Sequence, residues 1–356
     1  MAGASWYGSE LRRELSARNQ IWSQGRAHVE SYGSQPVIVY APENLIAKDT
    51  PQRIGPPRER HGNFFDDSYT AIMSQADWSR RFEKIHTQGK DLPKTEPTGN
   101  GAKPRRWREL DSCMSSDALL MNVFCAPGVV EFLAVRRALG VEDEARPVFG
   151  WKARVPLVSG RFDRTEVDMR WGGLLVEAKL TEGDFQTRAA RIVEGYRDFN
   201  AVFEKELLPR VELRAARRRT AIEFAEDFTQ EWEEAAADDQ AAREFQSAIV
   251  GRAREAEPAE AGYLSYQLIR NVLAAYAEGS SFCVLHDERR PDLREAWYAV
   301  IAAVKPAELR VRCKVLTWQE LAAWVPEPLQ VFLDLKYGIV RAGRVPSAVG
   351  GTAWLG

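Results

Sequence analysis

Residues 165–180 read TEVDMRWGGLLVEAKL, and the fold turns on how these sixteen positions pair. Side chains along a strand alternate between two faces. On the first half, Arg164, Glu166, Asp168 and Arg170 share one face, with Thr165, Val167 and Met169 on the other. On the second, Leu174, Val176, Ala178 and Leu180 form an apolar face, and Leu175, Glu177 and Lys179 face the opposite way. Gly172-Gly173 supplies the turn, because both central positions of a type I′ loop need positive φ. That register sets Trp171 opposite Leu174, Asp168 opposite Glu177 and Glu166 opposite Lys179, and a four-residue loop keeps it. Directly opposed Cβ atoms lie about 4.5–5.5 Å apart, so two facing carboxylates repel each other. A divalent cation reverses that sign, since Mg²⁺ is held by one or two carboxylates together with phosphate oxygens and waters. Lys179 points at the same spot. It can hold or help deprotonate a metal-bound water, or stabilise charge in a transition state. The plain alternative is a surface hairpin with a Glu166–Lys179 cross-strand pair.

Working outward, 115–124 reads as a helix capped by Ser115 or Ser116, with Leu119, Leu120, Val123 and Phe124 inward. Pro127 and Gly128 interrupt it, and a second helix ends at Gly140. The stretch 147–158 is strand-like and leads into the hairpin. Beyond the hairpin a helix is predicted over about 182–203, then long Ala/Glu/Arg-rich helices over 204–260. A helix at 262–278, a strand at 281–287, a helix at 291–304 opened by Pro291 and a strand at 312–318 complete the order. Helices at 5–31 and 68–86 lie in an N-terminal region broken by Pro and Gly. Three successive strands joined by later strands through helices predict an α/β fold: a mixed central sheet flanked by helices.

Asp168 followed by Glu177-x-Lys179, across a hairpin that follows a helix, resembles the PD-(D/E)xK restriction-endonuclease-like nucleases, and in particular bacterial restriction endonucleases of that superfamily. The order of elements resembles that core too, over 115–200 and 262–318. Val167 stands where the motif's proline would be. The resemblance implies phosphodiester hydrolysis with Mg²⁺ or Mn²⁺. Asp168 and Glu177 would be metal ligands, Lys179 the catalytic lysine, and the Ala178 backbone carbonyl a further ligand. It also implies an acidic residue on the first core helix, for which Glu131 is the first candidate and Asp117 the second. Glu166 and Gln186 are additional candidates. Arg188, Arg191, Tyr196 and Arg197 are weaker ones for substrate contact; Gln186 and Tyr196, ten residues apart, would be separated by about 80° around a helix, and Arg197 shares the Gln186 face more closely. On this reading 1–105 is an extension packed on or beside the core, 106–203 with 261–340 the nuclease core, 204–260 a helical insertion and 341–356 a tail.

Composition bounds the alternatives. The chain has 356 residues, 45% hydrophobic and 28% charged, with a net charge of -2, so any nucleic-acid-binding surface must be local. Cys113, Cys125, Cys283 and Cys313 show neither zinc spacing nor a disulfide framework, and no HExxH occurs. No signal-peptide-like start and no run of about 18 apolar residues is present, which predicts a cytoplasmic protein without a membrane span. Basic clusters at 103–108, at 210–219 and at Arg289, Arg290 and Arg294 read as solvated faces, and Gln267, Arg270 and Asn271 as an exposed helix face. The isolated His61 and His86 read as packing or surface residues. The expected partner is DNA, cut by a homodimer; an inactive binding or assembly module, and an RNA-directed nuclease, are the rival readings.

Overall fold

The computed structural model describes residues 4–23, 28–30, 38–40, 61–85, 108–142, 145–213 and 260–340. Their elements begin with α1 (Ala4–Trp22), β1 (His28–Glu30), β2 (Ile38–Tyr40), α2 (Asp66–Ser74), α3 (Ala76–Phe82), α4 (Ser116–Phe124) and α5 (Leu133–Leu139). Then come β3 (Val148–Lys152), β4 (Val155–Pro156), β5 (Phe162–Asp163), β6 (Glu166–Trp171), β7 (Leu174–Ala178) and β8 (Arg188–Ala189). They are followed by α6 (Ala190–Val193), α7 (Phe199–Val202), β9 (Arg210–Leu213), β10 (Glu260–Tyr263), α8 (Tyr266–Glu278) and β11 (Ser281–His286). The order ends with α9 (Pro291–Ala302), α10 (Ala307–Arg312), β12 (Cys313–Thr317), α11 (Trp318–Ala322) and α12 (Glu327–Tyr337).

A five-stranded sheet in the order β12-β11-β7-β6-β3 organises the chain. β3, β6 and β7 run antiparallel as a meander, and β7, β11 and β12 run parallel. This is a mixed α/β sheet, compatible with a restriction-endonuclease-like core. Because β7 is central, all five of its residues are buried. Leu174, Val176 and Ala178 join Leu11 and Leu15 of α1, the buried face of α4, and Leu329 and Leu333 of α12 in one core. Leu175 packs the other way, against α8, α9 and α10. Each such side chain contributes about 1.5–3 kcal/mol when fully buried, so both layers of helices are held to the sheet by area.

The local signals explain most boundaries. Ser115 caps α4 by accepting the Ala118 N–H at 3.1 Å, and Gly140 ends α5 at φ +66°. Pro291 opens α9, and Gly279 closes α8 at φ +64°. Four expectations need correction. Only Gly172 of the hairpin glycines adopts positive φ (+55°), as in a type II′ rather than a type I′ loop, yet the register is the expected one. The 182–203 segment is not one helix: β8, α6 and α7 replace it, with Gly183 and Gly195 each costing about 1 kcal/mol in a helix and β8 tied to β10 by pairing. The 204–260 and 262–278 stretches contribute strands β9 and β10, and a Cβ on Gly262 would meet Leu213 Cδ1 at 2.9 Å and the Arg188 carbonyl at 3.1 Å, so glycine eases that close crossing. The rest of the expected helical insertion, 214–259, lies outside the described residues. Finally, 68–86 is two helices, split where Gln75 is extended, and α1 ends at Trp22.

Where α1 meets α12, Lys336 is fully buried and donates to Asn19 Oδ1, while Asn19 Nδ2 donates to the Leu15 carbonyl at 2.8 Å. No carboxylate pairs with it among the described residues. Burial pulls the Lys336 pKa down to about 8, against a smaller opposing effect of Cys113. The charged ammonium is therefore the costly form in the fold. The penalty is full below the folded pKa and vanishes once the unfolded chain also deprotonates. Relative to Lys336→Met, the parent protein is expected to gain roughly 3 kcal/mol as pH rises from about 8 to about 10.5. Urea denaturation of both proteins across that range measures it, and a pH-independent difference would show the ammonium to be solvated.

Candidate active site

The β6–β7 ladder pairs Trp171 with Leu174, Arg170 with Leu175 and Met169 with Val176, and there it stops. The next backbone rung is replaced by a side chain: Asp168 Oδ2 accepts the Ala178 N–H at 2.7 Å. Past that point the strands fork. β7 stays with β11, and the Lys179 N–H donates to the Leu285 carbonyl at 2.8 Å. β6 stays with β3, and Glu166 lies opposite Lys152. Val167 leaves the layer of Met169 and Trp171 and packs in the other core.

The fork overturns the expected Glu166–Lys179 opposition. Glu166 Oε2 instead accepts from Lys84 Nζ at 2.9 Å and from Arg81 Nη1 at 3.3 Å. Lys179 is directed to Glu177, two residues away on the same face, with Nζ 2.7 Å from Oε1. Both are buried, at 5% and 2% exposure. The second oxygen, Glu177 Oε2, accepts from Asn271 Nδ2 at 2.8 Å.

Half-buried Asp168 has its pKa raised well above the usual carboxylate range, first by desolvation and then by the negative charges of Glu177 and Asp117. Lys179 and the Ala178 N–H oppose that rise. For Lys179, desolvation pulls the other way, but Glu177, Asp168 and Glu182 outweigh it and hold the ammonium protonated above the ordinary lysine range.

Supporting elements converge on this spot. Asp117, in the first turn of α4, is paired with Arg81, whose guanidinium also reaches Glu109 at 3.4 Å. Ser116 donates to Glu182 Oε1 at 2.5 Å, and Glu182 Oε2 accepts the Leu180 N–H at 2.6 Å, tying α4 to the residues after Lys179. Arg290, fully buried, donates to the carbonyls of Leu180 (3.1 Å), Glu182 (2.7 Å) and Gly183 (3.1 Å), and to Asp292 at 2.8 Å. Arg289 is held by Asp287 and Glu14. Neither arginine is on the solvated face expected of that cluster.

Asp168, Glu177, Lys179 and Ala178 are thus brought together. Glu131 is exposed and lies beyond the C-terminal end of α4, because that helix stops at Phe124; Asp117 is the acid at its site-facing end. Gln186 is in a loop at φ +61°, not on a helix, and its carbonyl accepts the Tyr266 N–H. Tyr196 is buried elsewhere, bonded to Asp163 and, at 2.8 Å, to the Tyr266 hydroxyl. Arg188 stacks over Tyr266, Arg191 is exposed on α6, and Arg197 pairs with Asp198. His61 packs against Phe64 and Phe82 and bonds Asp111 at 3.0 Å; His86 lies outside the described residues, as do Arg214–Arg219 and 103–107. Arg270 and Asn271, expected on an exposed face, are both 2% exposed. Gln267, Arg270 and Asn271 share one polar side of the helix, and Arg270 and Asn271 on that side turn inward, onto Asp163 and Glu177.

As a metal site the donor set is sparse. Among the described residues, no group of three or more His, Cys, Asp or Glu side chains is arranged to hold an ion. Two carboxylates and a backbone carbonyl nonetheless suit Mg²⁺, a hard cation that keeps waters and takes substrate oxygens. Desolvation and then the charge of Glu177 raise the Asp168 pKa, and a cation there would relieve the second.

The family model described as "Restriction Endonuclease associating with ARP" matches residues 20–338. The chain belongs to that family. The match includes the whole sheet and every residue of the fork, so the restriction-endonuclease-like family and the geometry coincide. No curated protein and no solved structure matches the chain. No described helix is long and apolar enough to cross a membrane.

The Arg290 clamp gives this family member a test of its site scaffold. Arg290→Met would strand the Asp292 carboxylate and the carbonyls of Leu180, Glu182 and Gly183, and is expected to cost about 3–5 kcal/mol in urea unfolding. A loss below about 1 kcal/mol would show that the 180–183 segment holds its shape unaided.

Proposed function

We propose that this chain is a metal-dependent nuclease that hydrolyses phosphodiester bonds in DNA, acting as a restriction or defence endonuclease in the cytoplasm. The observation that carries the reading is the fork: Asp168 capping the Ala178 N–H, with Glu177 and protonated Lys179 beside it in a buried setting. The family description, a restriction endonuclease, supports the same class.

Asp168 and Glu177 would hold Mg²⁺ or Mn²⁺, with the Ala178 carbonyl as a further donor. The bound cation would supply Lewis acidity toward the scissile phosphate and its water. Lys179 is already protonated, so it serves as a fixed cation rather than a base. It can donate to a phosphate oxygen as negative charge builds there, while Glu177 sets its position. Desolvation around these groups strengthens that interaction. A symmetric dimer would let two such sites cut both strands.

Purified protein should be incubated with plasmid, linear duplex, single-stranded DNA and RNA in Mg²⁺, Mn²⁺ or EDTA. Cleavage of duplex DNA with either cation and none in EDTA is expected. Lys179→Ala is expected to keep the parent circular dichroism and lose roughly 10²–10³ in rate, as removal of a charge-stabilising donor does. Asp168→Ala should abolish cleavage. Activity in EDTA, or parent-level cutting by Asp168→Ala, would refute the reading, and RNA cleavage alone would move the substrate to the rival class.

A further inference from the structure

Glu177 has a flexible side chain whose terminal torsion is broad, so a carboxylate held at one oxygen can still swing. Here both oxygens are held, Oε1 by Lys179 at 2.7 Å and Oε2 by Asn271 at 2.8 Å. The second contact comes from α8, which is distant in sequence from the hairpin.

The orientation of the Asn271 amide is itself dictated. A guanidinium has only donors, so the atom facing Arg270 Nη1, 2.9 Å away, must be Oδ1. The atom facing the Glu177 carboxylate must be a donor, so it is Nδ2. Both neighbours demand the same flip, which removes the usual ambiguity of an amide. Arg270 is in turn fixed. Nε lies 3.4 Å from Asp163 Oδ2, and Nη2 donates to the carbonyls of Ala153 (3.4 Å) and Thr165. Asp163 also accepts from Tyr196. A buried chain thus runs from Tyr196 through Asp163, Arg270 and Asn271 to Glu177, and it spans the second core from the β4–β5 hairpin to the fork.

We propose that Asn271 is a positioning residue for Glu177: locked by Arg270, it fixes the carboxylate in the orientation from which it binds the cation alongside Asp168. The proposal rests on the reading of Glu177 as a metal ligand. It assigns Asn271 no contact with substrate. Partners that orient a ligating carboxylate are typically worth 10–100-fold in metal affinity.

The test is Mn²⁺ titration of the full chain without nucleic acid, followed by the electron paramagnetic resonance of free Mn²⁺. Asp168→Ala serves as the reference for a lost site. Asn271→Asp fills the same volume and still accepts from Arg270, but it cannot donate to Glu177. Asn271→Ala removes both bonds. Both are expected to bind Mn²⁺ at least about tenfold more weakly than the parent. If Asn271→Asp binds as tightly as the parent, Asn271 only fills space and the proposal falls, whether or not Asn271→Ala folds. If the parent and Asp168→Ala take up Mn²⁺ alike, the metal reading itself has failed. Metal-free crystal structures then decide the positioning claim separately. Glu177 turned away from residue 271 in Asn271→Asp supports it, and an unmoved Glu177 overturns it.

Discussion

One hydrogen bond shapes the centre of this molecule. A carboxylate takes the place of a backbone carbonyl in the β6–β7 ladder when Asp168 Oδ2 accepts the Ala178 N–H. The exchange keeps the amide satisfied, as a buried donor must be. It also ends the pairing, so the strands diverge and a wedge opens with Asp168 on one side and Glu177 and Lys179 on the other. A regular hairpin would have continued the ladder and left no room between them. The two acids face that wedge, and the Asp168 pKa is raised by desolvation first and by the charge of Glu177 second.

Around the wedge, buried polar groups hold the residues in place. Arg290 gathers the carbonyls of Leu180, Glu182 and Gly183, Glu182 links that segment to the start of α4, and Arg270 with Asn271 supports Glu177 from α8. Such networks are stable only when every member is satisfied. Each of these arginines meets that condition by reaching main-chain oxygens as well as a carboxylate or amide. The β11 strand adds stiffness from the other side through its parallel pairing with β7.

Much of this was legible before any coordinates. Period-two alternation and the Gly172-Gly173 turn give the register of the hairpin, because a slip of one residue would put Glu177 among the α4 side chains. The caps at Ser115, Gly140 and Pro291 mark helices correctly. The fork was not legible. Alternation assumes that backbone pairs with backbone, so it carried the ladder on to a Glu166–Lys179 opposition that a side-chain acceptor cuts short. Asn271 escapes it for a different reason: Gln267, Arg270 and Asn271 share the polar face of α8, which amphipathic reasoning takes for the outer one, whereas Arg270 and Asn271 are buried against Asp163 and Glu177. Pro127-Gly128 already ends the first helix before Glu131, and what the sequence does not reveal is that the first turn of α4, with Asp117, is the end that faces Asp168. The 182–203 stretch was read as helix because its strand partner, Gly262-Tyr263, lies too far away in sequence for local propensity to register.

The charge balance of the wedge reaches beyond the sheet. Asp117, Glu109 and Glu166 crowd the approach to Asp168, and the cations that answer them are Arg81 on α3 and Lys84 just after it. Those two side chains come from a stretch that contributes no strand to the sheet. An excised unit comprising only the strands and their flanking helices would inherit the acids and leave their counter-ions behind. The boundary of the folded unit is therefore drawn by charge pairing as well as by topology.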